Sequence, residues 1–275
     1  MKRLINQQPG KVFSAWLGVL PFVIVVVLYL IASDLRLAEN PDDKLLPSLQ
    51  SIGDSIGRLA LEPSKRTGEL LLWGDTLSSL TRLAMGIGIS ALIGLVFGIA
   101  TGALPYVRAN LSPIITAISM IPPMAILPIL FIVFGLGELS KVVLIVIGIT
   151  PLLIRDMQLR VRELPAEQII KAQSLGASTW QVVIRVILPQ ILPRLINAVR
   201  LSLGSAWLFL IAAEAIASTD GLGYRIFLVR RYLAMDVILP YVVWITFLAF
   251  LMDVLLRVVS AKLFPWFGGA EGSKS

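Results

Sequence analysis

Phe13 to Ala32 contains no charged residue, and about 20 apolar residues are what a helix needs to cross a bilayer. Lipid offers no hydrogen bonds, so every backbone N–H and C=O in such a run must be satisfied internally, which means helix. Comparable runs follow at Leu83–Leu104, Leu111–Phe134, Leu201–Ala217 and Val237–Val259. Val142–Ile154 is too short to cross alone and holds Pro151. It spans by extending back over Leu136–Lys141, with Glu138 and Lys141 at the outer interface. The fold class is therefore all-α, a polytopic membrane protein of about six transmembrane helices. The chain is 57% hydrophobic and only 15% charged, against about a quarter charged in typical soluble domains.

What is missing narrows the chemistry. There is no cysteine and no histidine. Disulfides, thiolate chemistry and the commonest metal ligands are excluded, as is the usual near-neutral proton switch. No G-x-x-x-x-G-K-[ST] loop occurs, so if ATP drives this protein another chain binds it. A net charge of +7 is accounted for by membrane orientation rather than by nucleic acid.

Several local features carry expectations. Lys2, Arg3 and Lys11 precede the first apolar run in signal-peptide order, but no small-residue cleavage site follows, so an uncleaved first helix is expected. Ser33–Asp75 reads as a polar segment. Within it, Leu49–Leu61 is weakly amphipathic, either a helix lying along the membrane or a loop helix. Gly86, Ser90, Gly94, Gly98 and Gly102 recur every fourth residue. Such a small-residue ridge lets another helix approach closely, within the chain or at a moving interface, the former being favoured. Pro105–Arg108 reads as a turn. Pro122, Pro123 and Pro128 should kink or break the third span, because each removes a backbone donor and crowds the preceding turn. A break in lipid is tolerated only where protein or a water-filled cavity covers it, which makes Met120–Pro128 a candidate pathway lining. Ser218–Asp236 reads as a polar turn.

Glu163–Pro189 is the longest stretch with soluble-protein grammar. Pro165 suits the first position of a helix, with Ala166, Ile169 and Ile170 on one face. Gly176 stands where a helix ends. Ser178 and Gln181 form a capping box for a second helix, in which Trp180, Val183, Ile184, Ile187 and Leu188 make an apolar stripe. Pro189 is expected to stop it. Six spans put both termini on one side, and that side holds the larger share of the basic residues, so both termini and Glu163–Pro189 are placed in the cytoplasm.

The hairpin resembles the EAA loop of ABC importer permeases: glycine, nine residues, then Ile-x-Leu-Pro, here Gly176 followed by Val186-Ile187-Leu188-Pro189. The Glu-Ala-Ala positions read Ile170-Lys171-Ala172. Pro122-Pro123-Met124-Ala125-Ile126-Leu127-Pro128 and Gly137-Glu138-Leu139-Ser140-Lys141 resemble the taurine, nitrate and sulfonate branch. So do Ala172-Gln173-Ser174-Leu175-Gly176-Ala177-Ser178, Ala212-Ala213-Glu214 and Gly221-Leu222-Gly223. The resemblance covers roughly Leu46 to Trp266.

The resemblance implies a type I ABC importer permease fold in a bacterial inner membrane. It divides the chain into a cytoplasmic N-terminus (1–12), a first transmembrane helix (13–32), a periplasmic segment (33–75), a permease core (76–263) with its coupling loop (155–189), and a tail (264–275). It implies a second copy of the chain, ABC ATPase subunits that carry the ATP and Mg, a periplasmic binding protein and no catalytic residue here. Ala172, Gln173, Ser174, Leu175, Gly176, Ala177, Ser178, Leu188 and Pro189 would couple to the ATPase. Met120, Pro122, Pro123, Met124, Trp207 and Glu214 are the pathway candidates. Substrates in this branch are small anions, with small nitrogen compounds and vitamin precursors as alternatives. A pathway bearing Arg82 or Arg200 would favour anions; both arginines snorkelling at the interface is the other reading. A self-sufficient channel or secondary transporter is the competing class, for which intramembrane Glu214 and Asp253 are the only candidate coupling groups.

Overall fold

The computed structural model describes residues 10–41, 43–64 and 68–267, and the described residues are helical almost throughout. The expectations for the extreme N-terminus and for most of the tail fall outside these residues. Helix α1 is Lys11–Glu39. It runs past Ala32 because Asp34 to Glu39 are helix-compatible and the charged residues can leave the bilayer. Its C-terminal half is tied down by Tyr29, whose hydroxyl donates to the Pro47 carbonyl at 2.7 Å, and by Ser33, which donates to the Leu46 carbonyl at 2.9 Å. Helix α2 (Leu49–Leu61) starts where Ser48 Oγ accepts from the Ser51 N–H, an ordinary N-cap.

Helix α3 (Leu71–Ala103) begins twelve residues before the apolar run expected at Leu83. Its added turns carry Asp75, Ser79 and Arg82, all buried and bonded to other polar groups of the bundle. A polar stretch reads as loop only while its charges are assumed to be solvated. The stretch between α1 and α3 is accordingly shorter at both ends than the 33–75 expected from the apolar runs.

The small-residue ridge of α3 packs inside the chain, against α6 (Glu138–Arg162). A Cβ at Gly86 would stand 2.7 Å from Ile145 Cγ2, at Gly94 2.8 Å from Leu153 Cβ, at Gly98 2.3 Å from Met157 Cβ and at Gly102 2.5 Å from Val161 Cβ. The two helices run parallel, and every fourth residue of one meets the other backbone to side chain. Ile145, Ile149 and Met157 are wholly buried there.

Between α3 and α6 lies the proline-rich span. It is α4 (Pro105–Ser119) and α5 (Pro123–Phe134), bent by 94° across Met120–Pro122. The turn expected at Pro105–Arg108 is instead the first turn of α4, with proline at its start. Arg108 folds back to donate to the Thr101 and Gly102 carbonyls at 2.9 and 2.5 Å, satisfying the end of α3. Gly135, at φ +76°, turns the chain into α6. That helix starts at Glu138, as the short fourth apolar run required, and passes through Pro151.

After α7 (Ala166–Ser174) and α8 (Thr179–Val182), Pro189 does not stop the helix. A π-helical turn, Val183–Ile187, leads directly into α9 (Leu188–Ala217), with the Leu188 N–H bonded to the Val183 carbonyl five residues back. The wider turn accommodates a proline ring that would crowd a regular one. The expected polar turn at Ser218–Asp236 contains α10 (Leu222–Arg230), and α11 (Met235–Leu263) completes the fold. Among the described residues, five helices are long and apolar enough to cross a membrane, or six when the bent α4–α5 pair counts as one span.

Candidate functional site: helical corner, broken span and ion cluster

The corner between α7 and α8 is closed on both sides by local hydrogen bonds. Gly176 takes φ +82°. Its N–H bonds to the Gln173 carbonyl at 2.9 Å, and the next N–H, of Ala177, bonds to the Ala172 carbonyl at 3.1 Å. This pair is a Schellman ending. One residue later the capping box forms: Gln181 N–H donates to Ser178 Oγ at 3.3 Å and Ser178 N–H to Gln181 Oε1 at 2.8 Å. Pro165 stands at the N-cap, one position before the helix it was expected to open. Gln190 Nε2 donates to Gln168 Oε1 at 3.0 Å and fastens α7 to the start of α9.

The corner presents apolar groups outward. Ile170 is 59% exposed, Leu175 82% and Trp180 70%. Gln173, Ser174 and Ser178 are exposed beside them, whereas Ala172, Ala177, Leu188 and Pro189 are half-buried. The expected Trp180 stripe is therefore divided: Ile187 faces the core and Trp180 faces out.

At the broken span Met120 is 74% exposed, Pro122 and Met124 are exposed and Pro123 is half-buried. Ser119, the last residue of α4, accepts from Arg155 Nη1 at 2.9 Å. Trp207 and Glu214 are not on this surface. Both lie inside the helix bundle, the Trp207 indole N–H without a partner among the described residues and Glu214 completely buried.

Glu214 belongs to an ion cluster joining the first turns of α3 and α6 and the last turns of α9 to the α9–α10 loop. Arg82, only 2% exposed, donates to Glu214 Oε1 at 2.7 Å, to Glu138 Oε1 at 2.8 Å and to the Asp220 carboxylate. Ser79 Oγ donates to Glu214 Oε1 at 2.8 Å, and Lys141 Nζ donates to Glu138 at 2.8 Å and to Ser218 at 3.0 Å. A second node adjoins it, where Asp75 accepts from Arg225 Nε at 2.8 Å and from the Tyr241 hydroxyl at 3.1 Å. The first three N–H groups around the start of α10 donate to these side chains: Gly221 to Asp75, Leu222 to Ser79 and Gly223 to Glu214. At Asp220, outside the spans, burial pushes the carboxyl up, but the Arg82 guanidinium, Ser78 and Lys141 more than offset that and hold it below the usual carboxylate range.

Sequence reasoning singled out Glu214 but missed Asp75, Ser79, Asp220 and Arg225 as its neighbours. The available signal was charge within or beside apolar runs, which in a membrane is paired by default. Arg82 does not snorkel, because its fork is fully engaged. Arg200 is likewise paired, with Asp253 at 2.9 Å. Neither is free to hold an anion. No group of His, Cys, Asp and Glu suited to a metal ion occurs among the described residues.

Residues 90–265 match the family described as binding-protein-dependent transport system inner membrane component. The taurine transport system permease protein TauC of Escherichia coli (strain K12) is 41% identical over 73% of this chain and 73% of its own length. The putative aliphatic sulfonates transport permease SsuC of Bacillus subtilis (strain 168) is 28% identical over 98% of this chain and 94% of its own. The bicarbonate transport system permease CmpB of Synechococcus elongatus is 32% identical over 72% and 76%. Among solved structures, the inward-facing MetNI methionine ABC transporter matches with a TM-score of 0.59 at 22% identity, covering 70% of this chain and 95% of that one, a likeness of fold. A family match over residues 90–265 and a 41% identical relative lead to one conclusion: the chain belongs to the binding-protein-dependent transport system inner membrane components, the permease subunits of ABC importers, which transport solute and leave ATP hydrolysis to a separate chain.

Proposed function

We propose that two copies of this chain form the pathway by which an inner-membrane importer moves a small solute bearing an oxyanion group, delivered by a periplasmic binding protein. ATP and Mg bind in the partner ATPase, which grips the α7–α8 corner, an EAA-type coupling element. The observation that carries this reading is the corner itself. A rigid, doubly capped turn displays Ile170, Leu175 and Trp180 to solvent, and a monomer gains nothing by exposing such a patch. Both termini lie in the cytoplasm and lipid surrounds α1 and the outer faces of the bundle. Met120, Pro122 and Met124 face the pathway, since irregular backbone at membrane depth is tolerated beside a water-filled cavity. An oxyanion solute is favoured because the related permeases are named for taurine, aliphatic sulfonates and bicarbonate.

The test is uptake into proteoliposomes holding the permease, its ATPase and its binding protein. ATP-dependent accumulation of taurine, an alkanesulfonate or bicarbonate is expected. Uptake of a neutral or cationic solute with none of these would overturn the oxyanion reading.

A further inference from the structure

Most arginines within or against the spans have a carboxylate. Arg82 has Glu138, Glu214 and Asp220, Arg200 has Asp253, and Arg225 has Asp75. Arg155 has none among the described residues. Its guanidinium donates from Nη1 to Ser119 Oγ, and that hydroxyl donates in turn to the Thr116 carbonyl at 2.8 Å. The neighbouring acid, Asp156, turns to Arg160 instead. A guanidinium has five N–H donors in a fixed fork, so most of this fork is unspent.

The position of Arg155 matters as much as its solitude. Helix α6 is covered by α3, α5 and α9 along most of its length, and Leu152, Arg155 and Leu159 form the stripe left exposed on its inner half. Arg155 lies seventeen residues after Glu138, about 25 Å along the axis at ~1.5 Å per residue. That is still within the ~30 Å of hydrocarbon counted from the outer interface. A guanidinium at such depth faces a cavity or a counter-charge. The residue it touches is the last of α4, at the 94° break where the backbone itself needs a wet or protein-covered side. The unpaired cation and the broken helix thus meet at one hydrogen bond.

We infer that Arg155 and Ser119 form an anion-binding point on the inner half of the translocation pathway, taking a sulfonate- or carboxylate-type group whose two oxygens match the guanidinium fork. The inference rests on the pathway assignment above and names the group that meets the substrate's charge. Bidentate recognition of a planar or pyramidal oxyanion is what arginine does better than lysine. Ser119 holds the fork beside the break and takes only one of its N–H groups. The competing source of the same chemistry is a phosphate of an inner-leaflet lipid.

The chain has no cysteine, so one thiol can report the local potential. In the full transporter, with permease, ATPase and binding protein in nanodiscs, Met120→Cys is labelled with an anionic methanethiosulfonate (2-sulfonatoethyl) and a cationic one (2-trimethylammonioethyl), and labelling of this chain is read by mass. A nearby positive charge in water should make the anionic reagent react faster, and Arg155→Gln should lower the anion-to-cation rate ratio by roughly tenfold. Arg155→Lys should keep most of the ratio, and methanesulfonate should slow anionic labelling only while Arg155 is present. Saturated uptake should fall several-fold in Arg155→Gln and recover in part in Arg155→Lys. A ratio unchanged by Arg155→Gln, or a thiol that neither reagent reaches, overturns the inference. So does a ratio that responds to phosphatidylglycerol in the disc but not to methanesulfonate, which would assign Arg155 to lipid. Absence of ATP-driven uptake by the unmodified transporter would count instead against the transport reading itself.

Discussion

Arg82 and Glu214 meet with no water between them, 2.7 Å apart and both essentially buried. Removing one partner of such a pair leaves the other's charge stranded and typically costs about 3–5 kcal/mol. Glu214→Ala should fall at the lower end, because Glu138 and Asp220 still face Arg82. Arg82→Ala should be worse, since it strands the wholly buried Glu214 and also takes the guanidinium from Glu138 and Asp220. The double variant should cost clearly less than the two singles added, as for any residues in one network; thermal unfolding in detergent reads all three. Strict additivity would mean that the two side chains act separately. Glu214→Gln should be milder, because an amide oxygen can still accept from Ser79 and Gly223. Asp220 adds a pH dependence. Its carboxyl is held below the ordinary range when folded, so its contribution is present above the unfolded value of about 3.9 and is lost as pH falls through the lower folded value. The melting temperature should drop below about pH 4, and Asp220→Asn should flatten that drop.

At the scale of elements, the α3–α6 seam is the least forgiving. A leucine at Gly98 would place Cβ 2.3 Å from Met157 Cβ and close to the Ile154 carbonyl at 3.3 Å. Neither neighbour is the far end of a flexible chain. Gly98→Leu should therefore cost more than the 1–3 kcal/mol usual for overpacking and reduce the yield of folded protein. Gly88, which has nothing within 4 Å of its Cβ, should accept alanine. A glycine ridge was legible from spacing alone, as were the proline break, the Gly176 corner and the capping box, because each depends on residues near one another in the chain. What was not legible depended on distant partners. Helix α3 starts early because Asp75 and Arg82 find Arg225 and Glu214. Helix α10 is only nine residues long, and its first N–H groups are taken by Asp75, Ser79 and Glu214, all distant in sequence or on other helices. Pro189 reads as a terminator until a π-turn accommodates it. At the site, the corner was foreseen residue by residue, whereas Arg155 was visible only as one more basic residue on the inner side.

For the whole molecule, orientation is the first consequence to check. In the proposed orientation α3 and α6 run inward in parallel, and the α7–α8 corner lies in the cytoplasm. A cysteine at Ser64 should react with an impermeant reagent added outside intact cells, and one at Ser174 should react only after permeabilisation. The reverse pattern would invert the molecule and remove the corner from any cytoplasmic ATPase. Transport then depends on whether that corner passes force between chains, and Gly176 isolates the question. A Cβ there meets nothing within 4 Å, so substitution strains only the backbone, which is held at φ +82°. Alanine should cost about 1 kcal/mol, and valine more, because a β-branched residue tolerates positive φ least. No span is touched, so insertion should be normal. The decisive measurement is made on Gly176→Val in one set of proteoliposomes, following ATPase co-purification, ATP hydrolysis and solute uptake together. Weakened ATPase association, or hydrolysis that no longer drives uptake, is the expected result; full association with normally coupled uptake would contradict the assignment of this corner as the coupling element.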